Sequence, residues 1–593
     1  MFWQKKKPTE KRHRKKRRKR PKSGLDRTLE NFVVEEIELG AVPTIGPDET
    51  HHRKFRSRSK WFEGIRFTTG WMGLWLLIVA SGMLSRSVWP ADETRFLALA
   101  WDLWQRDAWL LPYLNGEPYL SQPPLALWLI LAGWKFAGFT DWWPRLLPGM
   151  AGLFCLFVTS ALTRRLWPDQ RDVIRYVPLF LLGSGLWAMY LTLALSDLLL
   201  VSFTVLTLLF TYQALLGSRA TGLLLGPVMA LALLAGGPVA LVYSLPVMLL
   251  APIWATRKTG RTWAAWYGTL ILSVVIAIGA WVAWVLAASQ SLALDWQQAI
   301  AAGSSMQSLM MFYESGKWWW YLFLIPLVFF PWSVWPLGWM RLWHVRSEKL
   351  DGGIMMCMIW GIPAIVLLSL LPVRQPQLLL PLFPAYAMVL VRLLLHDELR
   401  AKGEDSFFAS MTFPVIVIGG LLAIVPGLPR VPFLPEFLWE MSPFIGIAIA
   451  ALGIALSWAP TIDIGKRIGS IAVTTMFAVV AGNFAIGYQF GKRYDSVALN
   501  AFLYQAEQEG KAIAQVGSYR GEFHYRARLT QPLTVLNKDN LLFWVASHPD
   551  AVILTYSNRW QPANYSNMRP LFETPYGSAT LRVWDALTVA AQS

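Results

Sequence analysis

Four charged residues lie where this sequence passes between apolar and polar segments, and they are the first candidates for chemistry. Asp92, Glu93 and Arg95 follow directly on a long apolar stretch, and Asp197 opens another. Charged side chains at a membrane boundary are costly unless they are paired or used. A carboxylate gathered there could take a proton from an attacking hydroxyl, and three of them around one cavity could hold Mg²⁺ or another hard cation. Helix capping is the alternative, because Asp92 and Asp197 both stand at predicted helix starts.

The composition places these residues in a membrane protein. Of the 593 residues, 55% are hydrophobic and only 15% are charged, whereas a soluble domain carries about 25% charged residues. The two cysteines, Cys155 and Cys357, each lie inside an apolar run, which predicts a packing role and no disulfide framework.

Apolar stretches predict about thirteen membrane-spanning helices, since crossing about 30 Å of hydrocarbon takes about 20 residues. The predicted spans are 71–88, 146–163, 177–195, 198–216, 221–236, 238–255, 263–287, 318–340, 354–372, 378–396, 409–427, 442–459 and 469–489.

Charge distribution predicts how these helices are oriented. Residues 1 to 60 hold 19 Lys and Arg against 8 Asp and Glu, which is 11 of the 17 net positive charges. Basic segments stay in the cytoplasm, and an odd number of spans then places the C-terminus on the other side. The basic run 11–20 could bind nucleic acid, but no folded reader or aromatic platform lies near it. Anionic lipid headgroups are the favoured partner of this tail.

The chain divides into three predicted regions. Residues 1–65 form a basic, disordered cytoplasmic tail, 66–490 a transmembrane domain, and 491–593 a soluble domain. Residues 89–144 are predicted to be a first outer loop with short interfacial helices. In the soluble domain a helical stretch at 497–509 accompanies five strand-like runs, which favours an α/β or α+β fold. The strand-like runs are 513–517, 523–528, 533–536, 551–554 and 580–584. His524 and His548 also fall here, away from any metal-ligand spacing, which favours structural or surface roles.

Several motifs of this chain follow one another in a recognisable order. The acidic pair Asp92-Glu93 is followed by Asp107-x-Trp109-x-x-Pro112 and then by Gly116-x-x-Tyr119-x-x-Gln122-Pro123. This order resembles the polyprenyl-phosphate-sugar-dependent glycosyltransferases with the GT-C fold, which are related to the aminoarabinose transferase of lipid A and to protein mannosyltransferases. The later motifs that carry the same resemblance are Leu195-Ser196-Asp197, Gly236-Gly237-Pro238, Trp318-Trp319-Trp320-Tyr321, Phe330-Pro331-Trp332 and Arg374-Gln375-Pro376. Together they cover residues 70 to 390.

The resemblance implies roles for individual residues. Asp92 is the expected general base, Glu93 orients it or the acceptor, and Asp197 shapes the acceptor site. Arg95, Gln122 and Arg374 are the expected contacts of the donor phosphate. Trp109, Tyr119 and Trp318 are the expected substrate-binding aromatic residues.

This chain departs from the family pattern at four positions of the expected donor site. Gln122 and Gly236 stand where the family has lysine, and Leu378 stands where it has tyrosine. Arg374 replaces a further lysine, and its guanidinium could supply positive charge to a phosphate in bidentate fashion.

The sequence therefore favours a multi-pass protein of a bacterial inner membrane that transfers a sugar, with inversion, from a polyprenyl-phosphate carrier at the periplasmic face. A glycolipid such as lipid A is the leading acceptor, ahead of a polysaccharide or a protein hydroxyl. Two rival hypotheses stay open: a transporter or lipid flippase, and a non-catalytic relative that scaffolds envelope enzymes. Against transport stand the lack of an apparent inverted repeat and the clustering of acidic residues at outer boundaries.

Overall fold

A computed structural model defines most of the chain after the basic tail. Apart from a few isolated positions, the residues described are 70–88, 92–255, 259–292, 319–344, 351–371, 374–396, 407–429, 443–457, 463–494, 497–558, 569–577 and 579–590. The predicted cytoplasmic tail and its basic run lie outside these residues.

The described chain is mostly helical, because a helix satisfies the backbone hydrogen bonds of an apolar segment internally. The helices up to the middle of the chain are α1 (Gly70–Ser85), α2 (Asp92–Gln105), α3 (Pro124–Ala137), α4 (Trp142–Leu166), α5 (Arg171–Leu182), α6 (Gly185–Tyr190), α7 (Asp197–Leu215), α8 (Arg219–Gly236), α9 (Ala240–Leu249), α10 (Ala251–Trp254) and α11 (Trp263–Ser289). Those that complete the bundle are α12 (Trp320–Val328), α13 (Pro336–His344), α14 (Gly352–Leu370), α15 (Phe383–Leu394), α16 (Phe407–Ile424), α17 (Pro443–Ser457) and α18 (Ile464–Arg493).

Seven stretches of the described residues are long and apolar enough to cross a membrane, and the protein is therefore a multi-spanning membrane protein. They are Trp142–Leu166, Asp197–Leu215, Arg219–Leu249, Trp263–Ser289, Gly352–Leu370, Pro376–Leu394 and Ile464–Phe484. Three shorter apolar helices accompany them: Gly70–Ser85, Pro124–Ala137 and Val415–Gly427. The prediction of one plain span over 177–195 was wrong, because α5 ends at Leu182 and the chain re-enters a short helix, α6, only at Gly185.

The helix ends collect at two ends of the bundle. At the basal end, defined by Trp167, Leu215, Gly260 and Asp351, the Trp167 indole donates to the Asp351 carboxylate at 2.8 Å. The Gly260 N–H donates to the Leu215 carbonyl at 2.8 Å. These contacts join the ends of α4 and α7 to the segments before α11 and α14, in agreement with the predicted alternation of the helices that they join.

The long apolar run after Arg219 crosses the bundle and returns. A tight turn at Gly237, whose φ of +75° favours glycine, separates α8 from α9. Arg261 donates to the Ser218 carbonyl, next to the start of α8, and Trp254 lines one basal cavity together with Leu215. Because both ends of this run lie at the basal end, the predicted pair of spans over 221–236 and 238–255 describes it well.

The end opposite the basal end is called the domain end, and it carries the loop 92–144. After α2 this loop forms a short antiparallel hairpin, β1 (Tyr113–Leu114) and β2 (Glu117–Pro118), and then enters α3. Asn115 and Gly116 make the turn with φ values of +55° and +83°. The sequence analysis predicted short helices in this loop and missed the hairpin.

The C-terminal residues form an α/β unit with a five-stranded sheet in the order β4-β3-β5-β7-β6. Its elements are α19 (Val497–Gln508), β3 (Ile513–Val516), α20 (His524–Ala527), β4 (Thr534–Leu536), α21 (Leu541–Ser547), β5 (Val552–Tyr556), β6 (Phe572–Tyr576), β7 (Ala579–Asp585) and α22 (Ala586–Ala590). Strands β4, β3 and β5 are parallel, and β7 runs antiparallel to both β5 and β6. Alternate residues of the strands enter two apolar cores, one on each face of the sheet.

Two details of this unit differ from the sequence analysis. Residues 523–528 were predicted as a strand, but they form the short helix α20, which ends at Arg528 in the left-handed conformation. Strand β6 and helix α21 were not predicted. In a segment this short, alternating apolar and polar residues are compatible with a half-buried helix as well as with a strand.

Candidate functional site

Two of the three acidic residues singled out by sequence, Asp92 and Asp197, lie together at the domain end. Asp92 is the first residue of α2, and its side chain is 56% exposed, so a substrate can reach it. Arg95, one turn later, pairs with the Asp92 carboxylate at 2.8 Å. Asp197 is the first residue of α7, and the segment just before it is bound to the start of α2, because Glu93 accepts the Ala194 N–H. The structure therefore brings Asp92, Arg95 and Asp197 into one site, called here the acidic site.

Glu93 points away from the acidic site and into the protein. Its two carboxylate oxygens accept hydrogen bonds from the two Arg86 terminal nitrogens at 2.8 and 3.2 Å, and the pair is 5% and 3% exposed. One of these oxygens also accepts the Ala194 N–H, and Arg86 donates to the Thr192 carbonyl. This buried cluster, called the Arg86–Glu93 brace, ties the start of α2 to the segment that leads into Asp197.

Gln122 reaches the acidic site from the other side of the loop. Its amide nitrogen lies 3.5 Å from the Ser196 hydroxyl, directly before Asp197. The Ser196 side chain forms no cap hydrogen bond with its own helix, and its hydroxyl oxygen accepts the Gln122 amide instead. The residue that replaces the family's lysine is thus a neighbour of the proposed reactive carboxylates.

Two tyrosines bind the backbone of the segment that follows Arg374. Tyr243 on α9 donates its hydroxyl to the Leu378 carbonyl at 2.7 Å, and Tyr321 donates to the Gln375 carbonyl at 3.4 Å. The Arg374 guanidinium lies 5.9 Å from the centre of the Tyr321 ring. Arg374 is buried and donates to two carbonyl groups, at positions 368 and 369, near the end of α14. The charge of Arg374 is therefore used at a helix C-terminus.

The predicted aromatic contacts are not all at the acidic site. The ring of Trp109 lies beneath the Lys135 ammonium, 5.1 Å from it, and Lys135 is paired with Asp107. Tyr119 follows the hairpin, where its N–H donates to the Pro112 carbonyl. Trp318 lies outside the described residues.

A three-carboxylate metal site is not formed. Within the part of the chain that the structure describes, no group of three or more His, Cys, Asp or Glu side chains could hold a metal ion. The physical reason is the brace, because both Glu93 oxygens already accept hydrogen bonds from Arg86. Asp92 and Asp197 remain neighbours without it.

Two residues of this region were missed by the sequence analysis. Arg86 stands at the predicted outer end of the first span, where a positive charge is rare and expensive unless it is paired. That position was a usable signal for a partner such as Glu93. Tyr243 carried no signal, because a tyrosine near the start of a long apolar helix is an ordinary interfacial residue.

A buried histidine makes the C-terminal unit sensitive to pH. Burial lowers the pKa of His524 to about 4, against 6.5 for an ordinary histidine. Its Nδ1 lies 2.6 Å from the Tyr519 hydroxyl, whose oxygen already accepts the N–H groups of residues 523 and 524. Neutral His524 accepts a hydrogen bond from the Tyr519 hydroxyl at Nδ1. In protonated His524 this nitrogen also carries a hydrogen, so two donors would face each other.

The unfolded chain binds this proton at a higher pH than the folded one, so stability rises with pH through the interval between the two pKa values. We expect the amides of residues 519–531 to have larger protection factors, meaning exchange rates corrected for the intrinsic pH dependence of amide exchange, at pH 7 than at pH 5, and His524→Gln to flatten this difference. His548→Gln, at an exposed position on the end of α21, is the control. An unchanged pH dependence in His524→Gln would contradict the assignment, and mass spectrometry of the exchanged peptides measures it.

The fold is one that is known from solved structures. The structure aligns with the crystal structure of ArnT from Cupriavidus metallidurans bound to undecaprenyl phosphate with a TM-score of 0.70, covering 88% of this chain and 98% of that one at 16% identity. The apo structure of the same protein aligns with a TM-score of 0.70 over 91% and 99% of the two chains. The chain thus has the fold of a GT-C membrane glycosyltransferase.

Curated relatives point to the same group. The undecaprenyl phosphate-alpha-4-amino-4-deoxy-L-arabinose arabinosyl transferases of Pseudomonas paraeruginosa and Pseudomonas aeruginosa are each 26% identical to this chain over 355 residues, which is 56% of this chain and 62% of theirs. Transferase 1 of Pseudomonas fluorescens is 25% identical over 368 residues, 59% of this chain and 64% of its own. The match thus spans less than two thirds of these relatives. No family model matches the chain. The resemblance predicted from the motifs is confirmed in sequence and in fold.

Proposed function

We propose that this protein is a membrane glycosyltransferase that moves a sugar from a polyprenyl-phosphate carrier to a hydroxyl or phosphate group of an envelope acceptor. The relatives named above use undecaprenyl phosphate-linked aminoarabinose as their names state. A glycolipid of the lipid A class is the proposed acceptor. A polysaccharide or a protein hydroxyl is the alternative.

The observation that carries the proposal is the pairing of an exposed carboxylate with a guanidinium at a boundary of the helix bundle. Asp92 is accessible, and it is held beside Arg95 and Asp197 by the Arg86–Glu93 brace. Sugar transfer needs a base for the attacking group and positive charge for the departing phosphate. Asp92 and Arg95 supply both within one turn of helix.

In the proposed mechanism Asp92 accepts the proton of the attacking acceptor while that group bonds to the anomeric carbon. The bond between this carbon and the carrier phosphate breaks, and the phosphate leaves with the electron pair. Arg95 exchanges the Asp92 carboxylate for phosphate oxygens as the charge develops, because a guanidinium binds either group in the same way. Asp197 and Gln122 border the acceptor and the donor, and the sugar is transferred with inversion.

The proposed placement in the membrane follows from charge. The domain end faces the periplasm of a bacterial inner membrane, thirteen spans cross it, and the basic tail contacts anionic lipid headgroups on the cytoplasmic side. The proposed domain boundaries are those of the sequence analysis, at residues 65 and 490.

A reconstituted transfer assay tests the function. Purified full-length protein in lipid vesicles is supplied with a polyprenyl-phosphate sugar labelled in the sugar, together with lipid A. We expect the label to appear in lipid A with release of polyprenyl phosphate. Movement of the labelled carrier across the vesicle membrane without any sugar transfer would support a flippase instead and would contradict the proposal.

A substitution at Gln122 tests the donor site. Gln122→Lys adds a positive charge beside Ser196, and we expect the KM for the donor to fall about tenfold, because a hydrogen bond to a charged group contributes about 1.5–3 kcal/mol. The KM for the acceptor stays within about twofold. Gln298→Lys, on an exposed residue elsewhere, is the control. A donor KM that does not move in Gln122→Lys would place the carrier phosphate elsewhere.

A further inference from the structure

A cavity of about 350 Å³ lies between the second half of α2, the β1–β2 hairpin and residues 524–532 of the C-terminal unit. It is separate from the acidic site, since the residues of α2 that line it begin at Ala98. Its walls come from both the loop 92–144 and the C-terminal unit. A concave site at the junction of two units is a common position for ligand binding.

The walls of this junction cavity are fixed by hydrogen bonds. The Trp101 indole donates to the Leu529 carbonyl at 2.9 Å, which holds its ring against the C-terminal unit. The Asn115 amide donates to the Leu533 carbonyl and accepts the Leu533 N–H, which holds the hairpin in place. A site whose side chains are already ordered loses little conformational entropy when it binds a ligand.

The polar groups of the cavity form a neutral set. The Arg106 guanidinium is paired with the Asp102 carboxylate, so their charges cancel. Gln105 and Arg106 both line the cavity, and neither the Gln105 amide nor the Arg106 Nη1 nitrogen forms a hydrogen bond with the residues that the structure describes. Asp102 has acceptor oxygens beside them. Donors and acceptors in planar groups, next to a fixed indole, match the hydroxyl groups and the apolar face of a sugar ring.

We propose that this junction cavity binds a sugar ring of the acceptor, as a site distinct from the acidic site. The proposal rests on the proposed function. A charge-balanced set of groups favours a neutral, hydroxylated ring over an anion. The α2 residues that line the cavity begin at Ala98, about 9 Å of helix from Asp92, and the polar residue Asp102 lies about 15 Å from Asp92 along the helix. Gly521 packs against α2 between Asp92 and Asp102. An acceptor that occupies both sites must therefore pass beside this contact, and its headgroup must be longer than one sugar ring.

Binding is measured on the full-length Asp92→Asn protein, which holds the acceptor without turning it over. The probe is the deacylated glucosamine disaccharide headgroup of lipid A, in phosphorylated and dephosphorylated forms, titrated by calorimetry. We expect both forms to bind with affinities within about threefold, and Gln105→Trp, which fills the cavity from an exposed position, to weaken binding about tenfold or more, the worth of one or two hydrogen bonds. Leu542→Trp, on the exposed face of α21, is the matched control.

The outcomes separate this proposal from the proposed function. If the native protein transferred no sugar, the proposed function would be overturned. The titration would then decide by itself whether the cavity binds the headgroup. Absent binding of both probes, binding unaffected by Gln105→Trp, or binding of the phosphorylated probe alone would overturn the cavity proposal. In the transfer assay we expect Gln105→Trp to raise the KM for the acceptor while kcat and the donor KM stay within about twofold. A fall of kcat with both KM values unchanged would show a merely structural role.

Discussion

Asp92→Asn is expected to reduce sugar transfer at least a hundredfold, since a positioned general base contributes about 10²–10⁴ in rate. The asparagine keeps the shape of the side chain and its place at the start of α2, but it cannot accept the proton of the attacking group. Asp92 is exposed, and its partner Arg95 is only one turn away, so the substitution leaves the fold intact. The loss falls on kcat, and the donor KM changes little, because Arg95, the proposed contact of the phosphate, is unchanged.

The transfer assay in vesicles measures this loss, and the thermal unfolding midpoint of the same preparation verifies the fold. Asp550→Asn is the control, because it removes an exposed carboxylate from the C-terminal unit. Full activity in Asp92→Asn would remove the general base from the mechanism. Asp197→Asn distinguishes the two neighbouring carboxylates: we expect it to raise the acceptor KM more than it lowers kcat.

Breaking the Arg86–Glu93 brace is expected to cost the most stability. Glu93→Gln leaves the Arg86 guanidinium buried without a carboxylate, and removal of one partner of a buried ion pair costs about 3–5 kcal/mol. The same substitution loosens the segment 192–194 that leads into Asp197. We therefore expect a lower unfolding midpoint together with a lower transfer rate.

A comparison of single and double variants assigns this cost to the pair. Replacing both residues, as Arg86→Met with Glu93→Leu, removes both buried charges, and we expect it to recover much of the stability that Glu93→Gln loses. Arg582→Ala breaks the more exposed pair of Arg582 with Glu573, and a surface pair contributes about 0–1 kcal/mol. If Glu93→Gln cost no more than Arg582→Ala, the brace would not hold the site together.

Much of the helical bundle was predictable from the sequence. A span must be apolar over its whole length whatever its partners, so stretches such as 198–216 and 263–287 correspond to α7 and α11. The break inside 177–195 was not predictable from hydropathy, since Gly183 and Ser184 are as compatible with an apolar helix as with a turn. Gly183 packs directly against Ala472 of α18, where a larger side chain would collide, so the small size of glycine allows this close contact.

The candidate site was predictable in part, because motifs identify residue types and not the directions of side chains. Asp92, Arg95 and Asp197 lie at the same end of the bundle, as their positions at the outer boundaries of two predicted spans suggested. Glu93 is adjacent to Asp92 in sequence, yet on a helix consecutive side chains point about 100° apart, so the two carboxylates face different surroundings. Only the structure shows that the Glu93 carboxylate binds Arg86 in the interior of the protein.

Sugar transfer by this protein can be tested on the envelope lipids of a strain that lacks it. Mass spectrometry compares them with the lipids of the same strain supplied with the native protein or with Asp92→Asn. We expect one glycolipid to lose the mass of a single sugar unit in the deletion strain, the native protein to restore it, and Asp92→Asn not to restore it. An unchanged lipid and glycan profile in the deletion strain, or full restoration by Asp92→Asn, would contradict the proposed function.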